Sequence, residues 1–160
     1  MTTPLALALP GLQALLYGIW LIPGVLVALV IRKPGAALFG EVLAATVSAL
    51  VLSQWGLLTI ESGLVQGLGA ELVFLLFLYR RWNLPVAMLA GAVSGAAMAI
   101  NDMVLYYPGA DTLFVVAYSV AGVISGAVVA GLLSWLIVRG LARTGVLSRF
   151  AAGREIARRV

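Results

Sequence analysis

Gly63, Gly67 and Glu71 recur every four residues, the last two within Gln66-Gly67-Leu68-Gly69-Ala70-Glu71, a stretch that continues as Leu72-Val73-Phe74-Leu75-Leu76-Phe77-Leu78-Tyr79 and is apolar enough to lie in a bilayer. On a helix these three residues share one face, and the carboxylate follows two turns of that face that carry no side chain. A charge in hydrocarbon costs about 3 kcal/mol even on the lower scales, so an intramembrane glutamate marks a candidate functional site. The bare face admits either another helix or a ligand. A carboxylate in a low-dielectric pocket ringed by aromatic faces suits an organic cation or an aminated heteroaromatic ring. The rings supply stacking and cation–π attraction, and the carboxylate neutralises charge or accepts amino hydrogen bonds. The competing reading of Glu71 is a protonated or hydrogen-bonded structural carboxylic acid.

The elements that must position this face follow from composition. The chain has 160 residues, of which 63% are hydrophobic and 10% charged, against about 25% charged in soluble domains. It reads as an all-α integral membrane protein. Runs of about 20 apolar residues are needed to cross a bilayer, and five qualify: Gly11–Ile31, Gly35–Trp55, Ser62–Tyr79, Leu84–Tyr106 and Thr112–Val138. The joints carry turn chemistry, as in Arg32-Lys33-Pro34-Gly35 and Tyr107-Pro108-Gly109-Ala110-Asp111. Residues 1–139 form one helical domain, and 140–160 form a basic tail. The runs lack the period-two alternation of a membrane β-barrel.

All ten basic residues fall in Arg32-Lys33, Arg80-Arg81 and the tail from Arg139 onward, on alternate sides of the five spans. The positive-inside rule makes that side the cytoplasm of a multi-pass prokaryotic plasma-membrane protein, with the N-terminus outside and the C-terminus inside. Residues 1–10 must then be exported with no helix before them, and they carry no basic signal-peptide region. The chain therefore reads as short of one initial helix. Small-residue pairs at Ala36/Gly40, Gly63/Gly67, Gly91/Gly95, Gly122/Gly126 and Ala127/Gly131 predict close helix packing in a compact bundle.

Several chemistries drop out. With no Cys and no His, thiol catalysis, disulfides, histidine relays and the usual zinc and haem ligand sets are removed, and no cofactor is expected. Gly-Lys does not occur, so the chain has no Walker A loop with which to hydrolyse ATP. The net charge of +4 belongs to arginines flanking apolar spans and does not point to nucleic acid. Nothing indicates an enzyme.

The outer halves of the spans gather polar and aromatic groups: Tyr17 and Trp20 with Gln13, Trp55 with Ser48, Gln66, Asp102 with Tyr106, and Tyr118. Interfacial anchoring competes for Trp55, Tyr106 and Tyr107, and a loop-end charge competes for Asp102. Gln66 and Glu71 are five apart and diverge by about 140°, so they need not face one cavity. Glu41 lies about two turns inside the cytoplasmic end, where it is expected to satisfy a neighbouring helix end or a basic loop group.

Four segments in order, Gly18-Ile19-Trp20-Leu21-Ile22-Pro23, Ile31-Arg32-Lys33-Pro34-Gly35-Ala36-Ala37-Leu38-Phe39, Ser53-Gln54-Trp55-Gly56 and Gln66-Gly67-Leu68-Gly69-Ala70-Glu71, resemble the YkoE family. These are S components, the substrate-binding subunits of energy-coupling-factor (ECF) transporters for thiamine or its hydroxymethylpyrimidine precursor. The resemblance runs from about Gly11 to the tail. It implies a six-helix S-component fold, here lacking the first helix, and a vitamin site near the outer face. It also implies a transmembrane coupling (T) protein and ATP-binding cassette ATPases as partners, and it marks Glu71, Gln66 and Trp55 as pocket positions. Tyr17, Trp20, Asp102, Tyr106 and Tyr118 rest on depth alone. Two other functions compete: a proton-coupled organic-cation exporter that uses Glu71, and a non-transporting scaffold subunit.

Overall fold

The computed structural model describes residues 10–51 and 56–157, without the side chains of 155–157. Five long helices succeed one another. Helix α1 (Leu12–Ile31) is a 3-10 helix over Leu12–Leu21 and α-helical from Ile22. Helices α2 (Ala36–Val51), α3 (Leu57–Leu76) and α4 (Leu84–Leu105) follow, then α5 (Thr112–Arg143), which is π-helical over Gly126–Leu133. A short α6 (Ala151–Ala157) closes the described chain. Four of these helices are long and apolar enough to cross a membrane, and α2 is a shorter apolar helix.

Successive helices pack on one another, and α5 returns to α1, so the five close into a ring. The ring brings the basic loops 32–35 and 77–83 to one end, with the foot of α5 and α6. The 106–111 loop lies at the other end. Local signals set the helix limits. Asn83 accepts from Val86 N–H (3.2 Å) ahead of Pro85, and Asp111 accepts from Phe114 N–H (2.9 Å), so each caps a helix start. At the far end of α1, Arg32 adopts φ 57° and Gly35 φ +81°, which turns the chain sharply into α2.

The predicted spans 11–31 and 84–106 differ from α1 and α4 by a residue at an end. The segment 52–55 of the predicted second span lies outside the described residues. The predicted third span, 62–79, is corrected to Leu57–Leu76. Its start takes in Glu61 and Ser62, whose side chains accept hydrogen bonds from Asn101 Nδ2 (3.1 and 3.3 Å) and are thereby held against α4. Its end comes early because Leu78 and Tyr79 turn left-handed (φ 52° and 55°). The last span, predicted over 112–138, runs on to Arg143.

Glycine decides how near α4 and α5 come. A Cβ on Gly91 would stand 2.1 Å from the Gly126 carbonyl oxygen, and one on Gly95 would stand 2.3 Å from that of Gly122. These helices touch backbone to backbone, as small residues allow in lipid. The Gly63/Gly67 face is likewise filled by a helix. Added Cβ atoms there would meet Ala45 Cβ at 2.4 Å and Leu38 Cα at 3.0 Å, both on α2.

Glu71 has a structural partner at the start of α2. Its carboxylate accepts from the N–H groups of Gly35 (2.6 Å), Ala37 (2.9 Å) and Leu38 (3.2 Å), and Tyr79 adds a side-chain hydrogen bond. The first amides of a helix have no intrahelical acceptor and carry the positive end of its dipole. Glu71 supplies both the acceptors and the charge from a different helix. It is buried, 9% exposed, and the cost of burying it is offset by these bonds.

Two outcomes follow for stability. Glu71→Ala strands buried amides and should destabilise the folded protein by about 2–3 kcal/mol, whereas Glu71→Gln, which keeps one acceptor, should lose about half of that. Equal melting of Glu71→Ala and wild type in detergent would remove the capping role. Gly91→Ala should cost about 1–3 kcal/mol through overpacking. Gly140→Ala is the control, because a Cβ there meets nothing within 4 Å.

Candidate functional site

Toward the end of the bundle that carries the 106–111 loop, the ring leaves a cavity of about 960 Å³. Each of the five long helices contributes to its lining. Helix α1 gives Tyr17, Trp20 and Pro23, and α2 gives Glu41 and Ser48. Helix α3 gives Thr59, Ser62 and Gln66, α4 gives Met98, Asp102 and, at its end, Tyr106 and Tyr107, and α5 gives Tyr118.

One wall is a tyrosine cluster. Tyr118 is fully buried, and its ring meets Tyr17 edge-on at 6.2 Å, Tyr107 at 5.5 Å and Phe114 at 5.6 Å. Its hydroxyl donates to Asp102 Oδ2, which fixes the buried carboxyl group across the α4–α5 contact. Such aromatic pairs stabilise a cluster beyond area burial.

The α1 wall has its own support. Ser125 Oγ accepts from Gly18 N–H (3.0 Å) and donates to the Leu15 carbonyl (2.5 Å). This hydroxyl ties the 3-10 segment carrying Tyr17 and Trp20 to α5. Ten residues of 3-10 geometry also extend that segment by about 5 Å over an α-helix of equal length.

The deeper part of the cavity holds Glu41, which is 3% exposed. Its Oε2 accepts from Gly24 N–H at 2.6 Å, in α1 just after Pro23.

Of the residues expected to form a site, Tyr17, Trp20, Gln66, Asp102, Tyr106 and Tyr118 line this one cavity. Glu71 does not. It lies at the other end of α3, occupied by the start of α2, and Gln66 and Glu71 point apart as their spacing requires. Trp55 lies outside the described residues. Trp20 is 61% exposed, so it stands at the rim rather than within the cavity. Glu41 was expected to serve a helix end or a basic loop. It does satisfy a helix start, the Gly24 amide in the first turn of the α-helical part of α1, and its carboxylate also lines the cavity. The signal for Glu41 was the face Glu41, Ala44, Ala45 and Ser48 at i, i+3, i+4 and i+7, all of which line the cavity. Tyr107 joins the cavity rather than a purely interfacial belt.

Two carboxylates from different helices, an amide side chain and a tyrosine wall thus line one chamber. Among the described residues no group of acidic side chains could hold a metal ion.

Comparison with known proteins agrees in kind. The family model described as "ABC-type cobalt transport system, permease component" matches residues 1–97. The "Putative HMP/thiamine permease protein YkoE" of Bacillus subtilis (strain 168) is 44% identical over 146 residues, which make up 88% of this chain and 71% of that protein. A solved structure, "Crystal structure of an S-component of ECF transporter", superposes with a TM-score of 0.91 at 41% identity, covering 97% of this chain and 80% of that one. These relatives are transport subunits rather than enzymes, and with its apolar helices this chain is a multi-pass protein of the plasma membrane. It belongs to the YkoE-type S components of ECF transporters.

Proposed function

We propose that the cavity captures thiamine, or its hydroxymethylpyrimidine precursor, from outside the cell. The observation that carries this reading is the pairing of two buried carboxylates, Glu41 and Asp102, with a tyrosine wall in one chamber. Thiamine joins an aminopyrimidine to a cationic thiazolium. Tyrosine faces attract the cation and stack on either ring, while carboxylates neutralise charge or accept from the amino group. The name of the Bacillus relative supports the same ligand class.

By the positive-inside rule, the end carrying Arg32, Lys33, Arg80 and Arg81 faces the cytoplasm, so the cavity opens outward. As an S component the chain works with a T component and ATPases, which supply the energy that a chain without a nucleotide-binding loop does not. An exporter built on Glu71 would need that carboxylate to alternate between proton and cation. Its bonds to the start of α2 give it a different task.

A thermal-shift panel in detergent tests the assignment. Thiamine and hydroxymethylpyrimidine should raise the melting temperature and riboflavin should not. At a hundredfold excess over Kd, a bound ligand adds about 2.7 kcal/mol of stability. No shift with either pyrimidine, while the protein is folded, refutes the ligand class. Glu41→Gln and Asp102→Asn should each weaken thiamine binding about tenfold or more, the range for losing a charged hydrogen-bonding partner. Glu71→Gln should leave the affinity of the folded fraction within about twofold while lowering the melting temperature, and isothermal titration separates the two effects.

A further inference from the structure

A second cavity, of about 490 Å³, lies at the basic end of the bundle. It is framed by the end of α1, the 82–83 turn, the last turns of α5, and α6. We propose that it binds the phosphate of an anionic phospholipid headgroup.

Charge is the first argument. Arg32, Arg139 and Arg143 line the cavity, Asn83 adds an amide, and no described lining residue is acidic. Arg32 comes from the cap of α1, whereas Arg139 and Arg143 stand one turn apart on α5. At that spacing Arg139 and Arg143 repel one another. A phosphate offsets that repulsion and matches the planar N–H fork of arginine.

The walls are built in advance of any ligand. Arg32 Nε donates to the Leu29 carbonyl (3.2 Å), which orients its guanidinium. The Arg139 guanidinium lies 4.9 Å from the Trp135 ring centroid. Trp82 stacks on Phe74 at 4.9 Å and donates from Nε1 to the Tyr79 carbonyl (3.0 Å). These groups therefore lose little freedom when an anion arrives.

Position selects a lipid as the source. The cavity lies at the ends of apolar spans, level with the loops carrying Lys33 and Arg80, where headgroups gather and Trp is favoured. Leu136 and Leu141, on the same part of α5, are 49% and 40% exposed and offer apolar surface for acyl chains. Basic pockets between transmembrane helices on the cytoplasmic side hold acidic headgroups by this combination of charge and depth.

The test is lipid retention by the full chain in native mass spectrometry, from detergent containing equal phosphatidylglycerol and phosphatidylcholine. Wild type should retain phosphatidylglycerol selectively. Arg139→Gln/Arg143→Gln should reduce that retention about tenfold or more. Arg80→Gln/Arg81→Gln removes equal charge from the same end outside the cavity and should retain it. Folding is followed by melting in lipid-free detergent. If the cavity pair does not fold, Arg143→Gln alone should lose about threefold. Equal retention of the two lipids by wild type, no loss in the cavity variants, or equal loss in the control pair overturns the proposal. In a parallel arm without lipid, 10 mM inorganic phosphate should raise the melting temperature less than phosphatidylglycerol does, and a shift as large as that of the lipid overturns the lipid source in favour of a soluble phosphate.

Discussion

The carboxylate of Glu71 against the first amides of α2 is the contact on which the rest of the arrangement hangs. The first amides of a helix have no intrahelical acceptor, and where they are buried the protein must supply one. The start of α2 carries no side-chain cap of its own, because Ala36, Ala37 and Leu38 offer none and Gly35 precedes them. Glu71 provides the acceptor from α3, and in doing so it fixes where α2 begins. Glu41 lies about one turn further along α2, and its height beneath the cavity is therefore set by a residue that does not touch the cavity. The bare Gly63/Gly67 face completes the arrangement, since it lets α2 lie close enough to α3 for Glu71 to reach.

The opposite side of the ring uses a different constraint. Gly91, Gly95, Gly122 and Gly126 let α4 and α5 meet at backbone distance. Dispersion between closely spaced backbones holds that contact where the hydrophobic effect between helices is weak. Asp102 and Tyr118 lie on the same two helices, nearer the 106–111 loop, so the hydrogen bond between them spans a gap that the glycines have already narrowed. The cavity occupies the part of the ring where side chains grow from glycine and alanine to tyrosine.

Much of this was legible in the residues. Length and hydropathy gave five spans because lipid imposes a single length on every crossing, and arginine placement sorted the loops by end. Depth alone picked out Tyr17, Trp20 and Tyr118, a turn or more inside their spans where an interfacial belt explains less, whereas a loop-end charge competed for Asp102, and all four line the cavity. The partners of Glu71 and Glu41 were not legible, because an acid's cost in lipid is visible in sequence while its partner is not. Glu71 answers to amides some 35 positions away in the chain and Glu41 to one 17 away, and neither pairing leaves a periodic trace. The 3-10 start of α1 and the π segment of α5 were hidden for a related reason. Both are tertiary adjustments of apolar runs whose composition suits an ordinary α-helix.

Those two irregular segments pack on each other, and this divides the bundle into frame and wall. The frame, α2 to α4 with the glycine contact to α5, is regular helix joined by close packing and the Glu71 cap. The wall is the 3-10 half of α1, which carries Tyr17 and Trp20 and leans on α5 through Ser125 and the Tyr17–Tyr118 contact. A 3-10 helix has poorer hydrogen-bond geometry than an α-helix, so residues 12–21 are the part of the cavity lining with the least to lose from moving. Glu41 and Asp102 are anchored in the frame, whereas the tyrosine rings come from both parts, Tyr17 from the wall and Tyr118 from α5.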